Sequence, residues 1–124
     1  MPVDLQTVHS SVLSNFTWKP DSEVFGKPDH WDRPVKINGH LYGDCDDFSI
    51  ECYYRLKDLG YAPELAYCIT ETGGGHLVCL CGQYVLDNRE RRVRLLKDMW
   101  HYKNWKRSNG AWNGPWISFR INND

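Results

Sequence analysis

Apolar positions recur at intervals of three and four in two stretches of the chain and alternate with other residues in three more. Leu5, Val8, Val12, Leu13 and Phe16 predict a short amphipathic helix over Asp4 to Phe16. From Thr17 to Leu41 the pattern is broken by Pro20, Gly26, Pro28, Pro34 and Gly39, which predicts a long ordered loop anchored by Trp18, Phe25 and Trp31. The clearest helix comes next, with Asp44 at the N-cap and Asp47 three positions on as a capping-box-like pair. Its inner stripe is Cys45, Phe48, Cys52, Leu56 and Leu59, and Gly60 is its stop. Glu64 to Thr70 alternates as a strand. Gly73, Gly74 and Gly75 then give a flexible connection into His76 to Cys81, and Gly82-Gln83 makes a two-residue turn into Tyr84 to Asp87. Arg89 to Arg107 reads as mixed turn and helix, and Trp112 to Ile121 as an aromatic-rich strand.

These elements predict one α+β domain over residues 1–124. Composition agrees, with 41% hydrophobic and 25% charged residues and no internal repeat. No window approaches the ~20 apolar residues of a membrane span, and no signal-peptide pattern opens the chain. Five cysteines, at 45, 52, 68, 79 and 81, lack the spacing of a disulfide framework, so most are expected to be reduced and the protein cytoplasmic. Net charge is −1 overall but −4 over residues 1–60 and +3 over 61–124, so the C-terminal half can meet an acidic partner. The run Arg89 to Arg107, with Trp100, Tyr102 and Trp105 interleaved, has the ingredients of a nucleic-acid surface. A solvated rim beside a substrate groove accounts for it as well, and nucleic acid is not expected as a partner. Cys79 and Cys81 share a strand face but have no second Cys or His pair, so neither a metal nor a cofactor is expected. Oligomeric state is left open.

The chemistry starts from Cys45. A cysteine in the first turn of a helix lies near the positive end of the macrodipole and several free backbone donors, which stabilise a thiolate. Asp44, Asp46 and Asp47 oppose this, and on position alone a buried structural cysteine is the better reading. The hairpin shifts the balance. With Gly82-Gln83 as the turn, Cys81 opposes Tyr84 and Val78 opposes Asp87. His76 and Asp87 then share a face with Val78, Leu80 and Val85 as diagonal neighbours, at roughly 7–8 Å between backbones and within side-chain reach. Together with Cys45 these are the components of a nucleophile, a base and an orienting acid.

Gly43-Asp44-Cys45-Asp46-Asp47-Phe48, then Gly75-His76, then Leu86-Asp87-Asn88 resemble the bacterial transglutaminase-like cysteine peptidases, whose motifs are Gly-Asp-Cys-Glu-Asp-Tyr/Phe, Gly-His and Leu-Asp-Asn. Asp29, Trp31 and Pro34 are similar to the family's Asp-x-Trp-x-x-Pro stretch. The resemblance implies a papain-like, transglutaminase-like core in which the helix bearing the nucleophile packs on an antiparallel sheet. It implies Cys45 as nucleophile, His76 as base and later acid, and Asp87 as the group orienting the imidazole. Asp46 stands where the family commonly has Glu. Without the export signal and extra length of many members, the chain looks like a minimal intracellular or phage-encoded version. Some members bind calcium beside the cysteine; at Asp46 and Asp47 solvated helix-start carboxylates are the expected reading.

The expected activity is hydrolysis of a peptide or amide bond in a protein or peptide substrate through a thioester, with the Cys45 backbone N–H as one oxyanion donor. Acyl transfer to an amine uses the same three residues. A non-catalytic interaction module using the Trp-rich C-terminal surface is the alternative from another class. The other four cysteines are expected to be buried and slow to react.

Overall fold

The computed structural model describes residues 2–18, 36–37, 40–43, 45–108 and 116–121, with backbone alone for 17–18, 36–37, 40–43 and 45–46. Helix α1 spans Val3–Ser14 and α2 spans Cys45–Asp58, close to the two segments marked by helical spacing. Helix α2 ends as its sequence requires. Gly60 takes a φ of 94°, its N–H bonds Lys57 O at 3.0 Å, and the Tyr61 N–H reaches back to Leu56 O at 3.0 Å. This pair of bonds satisfies carbonyls that the last turn would otherwise leave orphaned. Leu59, expected on the inner stripe, is 55% exposed, because the helix has already ended and the chain turns outward there.

Strands β4 (Glu64–Ile69), β5 (Gly75–Cys81), β6 (Tyr84–Leu86), β7 (Arg94–Leu95), β8 (Lys103–Ser108) and β9 (Ile117–Ser118) form one antiparallel sheet in the order β7-β6-β5-β4-β8-β9. Earlier in the chain, β1 (Phe16–Trp18), β2 (Lys36–Ile37) and β3 (His40–Gly43) make a small second sheet. Part of the segment expected as loop is therefore strand. The expected anchors Phe25 and Trp31, the Trp18 side chain, Asp44, and Trp112 to Pro115 lie outside the described residues. Arg89 to Arg107 holds no α-helix. It contains β7, a 3₁₀ turn over Leu96–Asp98 and β8, which takes its place by pairing with β4.

The large sheet is buried on both faces. On one, α1 and α2 deliver Leu5, Val8, Val12, Phe48, Cys52 and Leu56 against Leu65, Leu77, Cys79 and Leu86. On the other, Ala66, Cys68, Val78, Leu80 and Val85 are covered by Met99, Tyr102 and Trp105 from the connection to β8 and from β8 itself. Every residue of β5 after Gly75 is buried, which is why that strand reads as an unbroken apolar run from Leu77 to Cys81 behind its histidine. Full burial of each large apolar side chain is worth roughly 1.5–3 kcal/mol, so these two layers supply most of the drive to fold. Among the described residues no helix is long and apolar enough to cross a membrane.

Candidate active site

The hairpin register is set by its turn. Gly82 supplies the positive φ of 59° that the two-residue loop needs, and Cys81, Leu80 and Cys79 pair with Tyr84, Val85 and Leu86. One further step along the ladder sets Val78 against Asp87, and the two expected partners meet. His76 Nε2 lies 2.7 Å from Asp87 Oδ1, with both residues buried. Burial pushes the Asp87 carboxyl up. The hydrogen bond and charge of His76, the Arg89 amide and the Tyr102 hydroxyl more than offset this and hold it below its ordinary value. An ionised carboxylate only accepts, so His76 Nε2 carries a proton and donates it. Nδ1 is then the ring nitrogen left for chemistry.

Cys45 is the first residue of α2, and its side chain lies outside the described set. The packing of the next helical turn fixes its backbone position. Ser49, one turn on, donates its hydroxyl to Leu77 O at 2.8 Å. Four residues of helix rise about 6 Å, and two residues of strand about the same. Cys52, one turn further on, lies beside Cys79, so α2 runs the same way as β5 and its start comes level with Gly75 and His76 at the end of the sheet. The helix packs on the opposite sheet face from His76, so the site is built around the sheet's end and not on one face. Gly75 is closely approached by a half-exposed side chain, which a larger residue would push aside. The Tyr67 hydroxyl lies across it, so that a Cβ at position 75 would overlap that oxygen.

Three residues at the site carry no motif. Arg89 donates its backbone N–H to Asp87 Oδ1 at 3.0 Å, an Asx-type turn readable in principle from Asp87-Asn88-Arg89. Tyr102 donates its hydroxyl to Asp87 Oδ2 at 2.7 Å, and in the sequence it stands only as an aromatic of the basic run. His9 reaches from α1 to donate Nε2–H to the Asp87 carbonyl oxygen at 2.9 Å. No local signal marks either contact.

His9 is fully buried, packs edge-on against Phe48, and its Nδ1 has no hydrogen-bond partner among the described residues. Burial lowers its pKa below 6.5, only partly countered by the Asp87 carbonyl and the charges of Asp87 and Glu90. A depressed histidine binds fewer protons folded than unfolded, so its share of stability is present near neutral pH and is lost as pH falls below about 6.5. Acidification from pH 7 to pH 5 is expected to lower the melting temperature less in His9→Gln, which can donate to the same carbonyl without titrating. Parallel pH slopes for the two proteins would remove His9 as the acid-sensitive group.

The basic run is partly spent within the fold. Arg89 pairs with Glu71 at 2.8 Å, Arg94 with Glu90 at 3.1 Å and Arg107 with Glu64 at 2.6 Å. Beside it opens a cleft of about 840 Å³ whose wall includes Trp100, Tyr102, Trp105 and Phe119 with Lys106 and Arg120. Asp47 is fully buried, in contrast to the solvated carboxylate expected at a helix start, and the side chains of Asp44 and Asp46 are not among those described. Among the described residues no three His, Cys, Asp or Glu gather closely enough to hold a metal ion.

The sequence matches the family described as bacterial transglutaminase-like cysteine proteinase (BTLCP) over residues 2–124. No curated protein sequence gives a significant match. Among solved structures, Legionella pneumophila LapG superposes with a TM-score of 0.72 at 23% identity, covering 93% of this chain and 67% of LapG. Its calcium-bound form gives the same values, and its EGTA-treated form a TM-score of 0.66 over 82% of this chain and 59% of LapG. The shared architecture is the transglutaminase-like α+β fold expected from the motifs, a helix packed on an antiparallel sheet. With the family matched from residue 2 to the last residue, the chain belongs to the bacterial transglutaminase-like cysteine proteinases.

Proposed function

We propose that the chain hydrolyses a peptide or amide bond in a protein or peptide substrate, with Cys45 as nucleophile, His76 as base and then acid, and Asp87 as the orienting group. The observation that carries this reading is the buried 2.7 Å contact between His76 and Asp87 at the strand end level with the start of α2. In the first half-reaction His76 takes the Cys45 thiol proton and the sulfur bonds the substrate carbonyl carbon. The imidazolium then gives its proton to the leaving amine as the C–N bond breaks, which leaves a thioester. In the second, His76 takes a proton from water as its oxygen attacks, and the carboxylic acid leaves with the thiol restored. The Cys45 backbone N–H, one of the free donors of the first helical turn, supports the oxyanion. The aromatic cleft is walled in part by Tyr102, whose hydroxyl bonds Asp87, while His76 and Asp87 themselves do not line it. Product analysis with and without an added primary amine separates water from amine as acceptor.

A thiol-reactivity measurement tests the assignment without a known substrate. Cys52, Cys68, Cys79 and Cys81 are buried, and burial raises every one of these thiols, Cys68 to about 12. A neutral buried thiol is a poor nucleophile. Iodoacetamide on native protein at neutral pH is expected to give one fast site, mapped by mass spectrometry to Cys45. Fast labelling of another cysteine, or slow labelling of Cys45, would overturn the nucleophile assignment.

A further inference from the structure

Asp87 is gripped from behind. Its Oδ1 accepts from His76 and from the Arg89 backbone N–H, and its Oδ2 accepts from the Tyr102 hydroxyl at 2.7 Å. Arg89 Nη1 in turn donates to the same Tyr102 hydroxyl at 3.1 Å. A guanidinium has no acceptor, so Arg89 occupies a lone pair of the phenol oxygen, and the phenol's single proton is directed at Asp87. Arg89 is itself fixed, with Nη2 on Glu71 at 2.8 Å and the guanidinium 5.4 Å from the Tyr102 ring centre. The Tyr102 ring meets His76 edge-on at 5.6 Å, and the residue is 3% exposed.

We infer that Tyr102 is a positioning residue for the reaction, with its hydroxyl, set by Arg89, holding Asp87 ionised and turned so that His76 keeps Nε2–H engaged and Nδ1 free. The inference rests on the triad proposed above. Local structure explains why a tyrosine reaches this place. Residue 102 immediately precedes β8, and Tyr67 and Ile69 of β4 face Lys106 and Lys103, one residue more on β8 than on β4. Asn104 sits in that bulge with a φ of 56°, a conformation asparagine tolerates better than most residues. A bulge bends its strand and re-aims the side chains beside it, and here Trp105 Nε1 also bonds Tyr102 O at 3.2 Å. Burial and the Asp87 charge push the phenol up, so it remains a donor through the working pH range.

The hydroxyl is separable from the ring. Tyr102→Phe keeps the contacts with His76 and Trp105 and removes one donor to a buried carboxylate. Asp87 should then take up a proton at higher pH, and below that point the imidazolium loses its counter-ion. The readout is the rate of Cys45 alkylation by iodoacetamide against pH. In Tyr102→Phe the acid limb of the profile is expected to move up by about one pH unit, the ten-fold size of one hydrogen bond to an ionised group, while the rate at pH 9.5 is unchanged. A tyrosine that served packing alone would leave the shape of the profile intact. Arg89→Met keeps the main-chain donor but frees the phenol, and should shift the profile in the same direction by less; it is the second variant should Tyr102→Phe fold poorly. His76→Ala separates the two ideas. If it loses the low-pH reactivity while Tyr102→Phe and Arg89→Met keep the wild-type profile, the positioning role is wrong and the triad stands. Wild-type reactivity in His76→Ala would overturn both.

Discussion

Turnover of a peptide substrate is expected to fall by about 10³-fold or more when Cys45 is replaced by alanine, and by a similar factor for His76→Ala, because nucleophile and base act as one unit. The double variant should be little worse than either single one, since removing the second member of a unit that no longer works costs little more. The two variants should differ in stability. Alanine is the best helix former, so Cys45→Ala at the first position of α2 is expected to melt close to the wild type. His76→Ala takes a donor from a fully buried carboxylate, and a loss of roughly 1–3 kcal/mol is expected from that alone. The assay is steady-state hydrolysis beside thermal melts of the same samples. Turnover by Cys45→Ala within ten-fold of the wild type would exclude a thioester route through that residue.

What the sequence discloses and what it hides divide along the range of the contacts. Helices α1 and α2, and the β5/β6 hairpin with its register, are legible because each is written in residues a few positions apart: the Leu5, Val8, Val12 spacing, the Gly60 stop, the Gly82-Gln83 turn. The meeting of His76 with Asp87 is legible for the same reason, since eleven residues and one tight turn set it. The position of β8 is different. It pairs with β4 some forty residues earlier, through a bulge, and its polar exposed positions Lys103, Asn104 and Lys106 give it no apolar alternation. Read alone, that stretch resembles turn and helix. Everything β8 brings to the site is hidden with it, above all the Tyr102 bond to Asp87. His9 is hidden likewise. Its place among apolar residues of α1 marks it as a core residue, but nothing in the sequence says that the core there includes the main chain of Asp87. Charge counting misleads in one respect. The C-terminal half carries the positive excess, yet Arg89, Arg94 and Arg107 are held by Glu71, Glu90 and Glu64, two of them far away in sequence.

Asp87 is where folding and chemistry converge, and substituting it should show both. The carboxylate is fully buried and accepts from His76, the Arg89 amide and the Tyr102 hydroxyl. Asp87→Ala leaves those three donors without their acceptor in a dry site, and each orphaned buried donor costs about 1–3 kcal/mol, less whatever water can enter to recover. A net loss of roughly 3–5 kcal/mol is expected, the range seen when one member of a buried charged pair is removed. That is a fifth or more of the ~5–15 kcal/mol by which a typical domain is stable. Asp87→Asn should behave differently. Its carbonyl oxygen can replace Oδ1 and accept from His76 and the Arg89 amide, while its amide nitrogen faces Tyr102, whose hydroxyl can turn to accept. The fold is then largely kept, but the negative charge that steadies an imidazolium is gone, and turnover is expected to fall by up to about 10⁴-fold. The pH response has a definite sign. The folded carboxyl lies below its ordinary value, so its share of stability is complete above about pH 4 and is lost as pH falls through the lowered value. Asp87→Asn, which cannot titrate, should lack that acid step in melts between pH 5 and pH 2. If Asp87→Ala melts with the wild type and Asp87→Asn keeps full turnover, then Asp87 neither anchors the site nor orients His76, and the 2.7 Å contact has no functional weight.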